Sequence, residues 1–200
     1  MARVTKRKRT KPSADRILAA AERVFVRVGY GEASLRQVMT EAKVSTTAFY
    51  ARFDSKEAVL RALVLGLLAE LTAVVARDLA PVRGLEQRFQ HGVELMCEVL
   101  VPRRALVRIT LTEAAASPAV TKSLAELYST IANVLAAQIG ATVVDANAVA
   151  WSLVGALHMQ VLRWAVYDQL DAAEFEKALH AVADSYLPAL RSAHARSGRR

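Results

Sequence analysis

The chain contains a single cysteine, Cys97, among its 200 residues. No internal disulfide framework is possible, and this usage fits a reducing, cytoplasmic setting. Long apolar runs are also missing. In the first half the longest, "ALVLGLLA" from Ala62, lies between Arg61 and Glu70. It falls far short of the roughly 20 residues needed to cross a bilayer, so no membrane partner is expected. The N-terminus is basic but no apolar stretch follows it, so no secretory signal is expected either. Glycine and proline are sparse, at eight and five, and most stand between periodic segments. Alternating β-branched runs are few, which argues against a sheet. There is no glycine-rich phosphate loop, no nucleophile with a placed histidine, and no cluster at metal-ligand spacing. The expectation is therefore a non-enzyme with no cofactor and no metal.

What the chain has in excess is basic charge, and it is unevenly placed. The formal net charge is +8. Residues 1–11 hold six basic residues and no acid, residues 12–62 add a small positive balance, and residues 63–190 are slightly acidic. A basic front on an acidic body points to a polyanion partner for the front.

Nearly everything after Pro12 reads as helix, so the fold class is all-α. Residues 1–12 form a basic arm. Ser13 can cap a first helix whose stripe is Ile17, Leu18, Ala21, Val24, Phe25 and Val28, with Gly29 ending it. Ser34 and Gln37 make a capping box for a short second helix through about Ala42. Ser45 can cap a third, through about Phe53. Asp54 with Glu57 opens a linking helix to about Leu79. Further helices are expected over 85–100, 102–116, 118–139, 145–167 and 171–190, with Pro188 loosening the last turn. This divides the chain into the arm, a head at 13–60, a larger helical domain at 61–193, and a basic tail at 194–200.

The second and third helices are joined by a turn of about three residues, which forces a sharp angle. That is helix-turn-helix geometry, in which the second of the pair can enter a major groove. Thr46, Thr47 and Tyr50 share one face at i, i+1, i+4 spacing, opposite Phe49 and Phe53. No acid lies between Lys43 and Arg52, so this face can approach phosphates. Threonine offers a hydroxyl and a methyl to base edges, and Tyr50 a donor to phosphate oxygen. Lys56 sits in the first turn of the next helix, where backbone amides favour an anion.

The stretch "ILAAAERVFVRVGYGEASLRQVMTEAKVSTTAFYARFDSKEAVLRAL", residues 17–63, resembles the DNA-binding domain of TetR-family transcriptional regulators. The resemblance rests on the "ILAAA…F…GY" first helix, the small and apolar positions of the helix-turn-helix, "VS…FY..F" at 44–53 and "SKE" at 55–57. It implies a three-helix head, a linking fourth helix and a larger helical domain for ligand binding and dimerisation. It also implies a homodimer paired through the last two long helices, about 145–190, on a palindromic double-stranded DNA operator. A small-molecule effector of unknown identity would release the DNA. Carried over by position, Thr46, Thr47 and Tyr50 match recognition-helix contacts, and Arg36 a position that can reach a base edge. Ser34, Ser45, Tyr50 and Lys56 match phosphate contacts, and Gln37 and Lys43 complete the expected DNA-facing set. Family members often carry glycine where this chain has Lys43, glycine or proline at Thr47, and histidine or an aromatic residue at Arg52.

In the larger domain, His91, Arg108, Trp151 and His158 are the candidate ligand-binding residues. Arg108 is isolated in an apolar helix, and if it faces inward it needs an anion such as Glu113 or a ligand carboxylate. Two other functions stay open at this point. One is a ligand-independent, nucleoid-type DNA-binding dimer; the other is an all-α small-molecule binder.

Overall fold

The computed structural model describes residues 14–78, 84–113, 117–139 and 145–197. The expected arm at 1–12 and the Ser13 cap lie outside them. All regular structure among the described residues is helical. The helices are α1 (Ala14–Val28), α2 (Leu35–Ala42), α3 (Thr46–Tyr50), α4 (Lys56–Asp78), α5 (Leu85–Leu100), α6 (Arg104–Thr112), α7 (Pro118–Ile139), α8 (Ala146–Ala165) and α9 (Ala172–Ser197), with a 3₁₀ turn at Val101–Arg103. The chain divides into two compact units, Met1–Leu63 and Val64–Arg200, within α4.

In the first unit α1 buries Ile17, Ala20, Ala21, Val24 and Phe25. Their i, i+3, i+4, i+7, i+8 spacing is one face of a helix. Leu18 and Val28, expected in this stripe, flank it half-buried, and Ala20 takes the central place. Gly29 ends the helix at φ 81°, a left-handed conformation that glycine adopts without a Cβ penalty. Ala33 before α2, Val38 and Ala42 of α2, Phe49 of α3, and Val59, Leu60 and Leu63 of α4 complete the buried set. Arg23 bonds Glu41 at 2.9 Å, with Arg27 at 3.5 Å from the same carboxylate, tying α1 to α2. The Arg23 hydrogen bond holds the Glu41 carboxyl below its usual range.

The second unit packs α7 on α8, α8 on α9, and α5 on α9, with α6 against α8. Trp164 is buried and stacked on Phe175 at 4.3 Å between ring centroids, fixing α8 against α9. α6 is latched to the end of α8. Arg104 donates to the Trp164 carbonyl and to Asp168 Oδ1 at 2.6 Å, while Arg108 reaches Asp168 Oδ2 at 3.1 Å.

Several boundaries differ from expectation. The α4 N-cap is Ser55, whose Oγ accepts from the Ala58 amide at 3.0 Å; Asp54 instead accepts from the Ser55 hydroxyl. The Asp54–Glu57 box is thus one residue out of phase with the helix start. α9 runs through Ser197, past Pro188 and into the region assigned to a tail. A proline removes one N–H, and here the helix continues past it rather than ending.

Candidate nucleic-acid interface and ligand cavity

The turn between α2 and α3 is built from both sides. Ser34 Oγ accepts from the Gln37 amide at 3.3 Å, and Gln37 Oε1 accepts from the Ser34 amide at 2.8 Å, the reciprocal capping box. At the other end Lys43 sits at φ 52°, ψ 47°, in the left-handed region. Its N–H donates to Thr40 O at 3.1 Å, and the Val44 N–H donates to Met39 O at 3.0 Å. This pair of bonds is the Schellman motif, with lysine where glycine usually stands. Arg16 of α1 donates to the Lys43 carbonyl at 3.4 Å.

Ser45 caps α3 through its Oγ, which accepts from the Ala48 amide at 3.3 Å. The helix is only Thr46–Tyr50, shorter than the expected run to Phe53. Its last turn tightens, because Arg52 N–H donates to Phe49 O three residues back at 2.8 Å. Phe49 is fully buried, and Thr46, Thr47 and Tyr50 are exposed together on the opposite side. Tyr50 is 52% exposed and leans edge-on against the Phe49 ring at 5.5 Å. Arg36, Lys43, Ser45 and Arg52 are also exposed.

Besides Ser45, three more of the expected DNA-facing residues have structural duties. The Ser34 hydroxyl donates to Gln37 Oε1 at 3.0 Å, so the polar atoms of Ser34 and the carbonyl end of Gln37 are occupied by the cap. The Lys56 ammonium donates to three backbone carbonyls, Tyr30 O at 2.8 Å, Gly31 O at 3.0 Å and Ala33 O at 2.9 Å. It also lies 4.6 Å from the centre of the Tyr30 ring. An ammonium has three donors, so this one anchors the α1–α2 loop instead of standing ready for phosphate. What remains for an anion is the amide of Lys56 at the helix start. No periodicity in the sequence points to this clamp, since its acceptors are main-chain atoms.

The second unit holds a partly open cavity of about 360 Å³. Its wall draws on α4 (Leu67, Leu71), α5 (Phe89, Met96), α6 (Val107, Leu111), α7 (Leu124, Leu127), α8 (Leu153, Leu157) and α9 (Ala183). Of the four residues expected to bind ligand, only His158 lines it. Arg108 faces away, because Val107, Thr110 and Leu111 hold the inner side of α6; its partner is Asp168, not Glu113. His91 points to Glu94 at 3.1 Å, and Trp151 is 43% exposed on α8. His158 meets Tyr128, a residue the sequence did not single out, with Nδ1 2.8 Å from the phenol oxygen. Burial pushes the Tyr128 hydroxyl up to about 12 and lowers His158, so both are neutral near pH 7. The Thr110 hydroxyl is satisfied by Leu106 O at 2.7 Å. Cys97 is buried, its thiol raised to about 11 by burial and by the Glu176 carboxylate, so it is a packing residue rather than a reactive one. Among the described residues no group of three metal-ligating side chains occurs, and no helix is long and apolar enough to cross a membrane.

Comparison with known proteins agrees with the geometry of the head. The family profile "Bacterial regulatory proteins, tetR family" matches residues 17–63. The HTH-type transcriptional regulator UidR of Escherichia coli (strain K12) is 30% identical over 132 residues, covering 62% of this chain and 63% of that protein. This chain therefore aligns with less than two thirds of UidR's length. Among solved structures, a transcriptional regulator from Rhodococcus sp. Rha1 superposes with a TM-score of 0.73 at 21% identity, over 88% of this chain and 97% of the other. The regulator FadR from Bacillus subtilis, solved in complex with stearoyl-CoA, gives 0.71 at 16% identity, over 86% and 96%. At these identities the two structures establish the shared all-helical fold.

Proposed function

This chain belongs to the TetR family of transcriptional regulators, and from that premise we propose that it is a homodimeric repressor that leaves a palindromic operator when a small molecule fills its cavity. The observation that carries the DNA-binding part is the α3 face. A short, doubly anchored helix presents Thr46, Thr47 and Tyr50 outward while Phe49 fixes it to the core. Two such heads must sit about 34–36 Å apart to read successive major-groove faces.

Pairing through α8 and α9 is supported by a stripe on α8. Trp151 and Met159 are exposed at 43% and 47%, with Gly155 between them at i, i+4, i+8 spacing. Large apolar side chains clustered on a surface usually mark an interface. Effector binding is supported by the apolar cavity, and by the likeness to FadR, which was solved with stearoyl-CoA. A ligand that favours the wrong head spacing weakens DNA binding by its differential affinity, typically about 1–3 kcal/mol.

A DNase footprint on the DNA flanking its own gene tests the reading. A protected, two-fold symmetric site is expected. Thr47→Ala combined with Tyr50→Phe should weaken binding to that site by at least ten-fold. An unchanged footprint and affinity in the double variant would remove the contact assignment.

A further inference from the structure

The cavity wall is apolar except at a few points, and those points define what it can hold. Thr110 is satisfied within its own helix. Arg88 is half-exposed and already has an interaction of its own. The remaining polar feature is the Tyr128–His158 pair, joined at 2.8 Å and stacked edge to face at 5.3 Å. The pair links α7 to α8 within an otherwise hydrocarbon surface.

The geometry points to an uncharged, largely apolar effector with one hydroxyl or carbonyl group, hydrogen-bonded by the Tyr128–His158 pair. Whichever of the two donates within the pair, one donor and one acceptor are left over. If the phenol donates to Nδ1, the imidazole keeps an Nε2–H and the phenol oxygen can accept. If Nδ1–H donates to the phenol oxygen, the phenol O–H is free to donate and Nε2 accepts. A hydroxyl or carbonyl can therefore be matched in either tautomer. A carboxylate is poorly matched, because desolvating an anion among these leucines and valines is costly without a dedicated cation. Burial keeps both members neutral, so the pair supplies no charge to offset one. The volume of about 360 Å³ lies at the small end of the range for ligand pockets, about 300–1,000 Å³, which favours a compact molecule. This deepens the reading of the chain as an effector-responsive regulator and rests on it only for the consequence at DNA.

The test uses the full chain and the neutral fluorescent probe N-phenyl-1-naphthylamine, displaced at pH 7.5 by three matched compounds: hexylbenzene, 4-hexylphenol and 4-hexylbenzoate. The probe is expected to bind. 4-Hexylphenol should displace it about five- to ten-fold more effectively than hexylbenzene, the worth of one net hydrogen bond, and 4-hexylbenzoate should be the weakest. Tyr128→Phe should shrink the advantage of the phenol while leaving hexylbenzene unchanged, since the His158 imidazole keeps a donor and an acceptor. The double variant Tyr128→Phe with His158→Leu, which leaves no polar group of the pair, should erase it. Absence of probe binding, strongest displacement by the benzoate, or a phenol preference that survives both variants would overturn the proposal. Operator binding measured in parallel separates the two readings. Compounds that bind with this ranking but do not release DNA support the ligand class and count against effector-coupled repression. An intact footprint without probe binding overturns the ligand class alone.

Discussion

Lys43 stands at the junction of the two helices and holds a backbone conformation that lysine rarely takes. A left-handed residue with a Cβ costs about 1 kcal/mol, and the Schellman bonds around it are what hold it there. Lys43→Gly removes the strain but also loosens the unfolded chain, so the net gain in stability should be somewhat under about 1 kcal/mol, read by urea denaturation. The same change removes an exposed positive charge beside the reading face. Operator affinity should fall even as the head becomes more stable, and the slope of log affinity against log salt should drop by about one if the ammonium meets a phosphate. A slope that does not move would assign Lys43 to the turn alone. The sequence marks this position, because a lysine in a glycine place is visible by inspection. Its backbone angle follows from bonds that only the structure displays.

At the scale of elements, legibility follows the range of the interactions. Ser34 with Gln37, Ser45, and Gly29 are local signals, and α1, α2 and the start of α3 are found where those signals place them. The end of α3 and the continuation of α9 past Pro188 depend on competing main-chain bonds and packing, which no short pattern encodes. Arg108 shows the same limit. Whether it faces inward is decided by which side of α6 meets the cavity, and its partner Asp168 is 60 residues away. The Lys56 clamp is the sharpest case, since its acceptors are three carbonyls of the loop before α2. Lys56→Met keeps the aliphatic stem and leaves those carbonyls to water. Because the side chain is only half-buried, a loss of about 1–2 kcal/mol in stability is expected, below the full value of three charge-assisted bonds. Operator affinity should fall through misplacement of α2 and α3, with the ranking of operator variants unchanged. A changed ranking would mean that Lys56 takes part in base reading.

Across the whole molecule the two units contribute different things, and each can be perturbed separately. His158 sits in the second unit with its pKa lowered from 6.5 by burial. As pH falls below about 6.5 the unfolded chain takes up a proton that the folded chain resists, so folding stability drops until the folded imidazole also titrates. The stability difference between wild type and His158→Gln should therefore narrow as pH is lowered from about 7.5, in denaturation series at matched salt. A constant difference would mean that the Tyr128 hydrogen bond offsets the desolvation. Assembly is the remaining level. A palindromic site needs two heads, and one α3 of five residues offers too few contacts for tight binding by itself. If α8 supplies the dimer seam, Trp151→Glu with Met159→Glu places two carboxylates on each facing stripe without touching the buried Trp164–Phe175 stack. Sedimentation should then give a monomer with unchanged helical content. Operator affinity should fall by two orders of magnitude or more, because each head binds alone and the benefit of linkage, about 10²–10⁴, is lost. Hexylphenol binding should persist in that monomer, since the cavity wall is drawn from helices of a single chain. A double variant that stays dimeric would move the seam away from α8, and one that loses the ligand as well would show that the cavity depends on assembly.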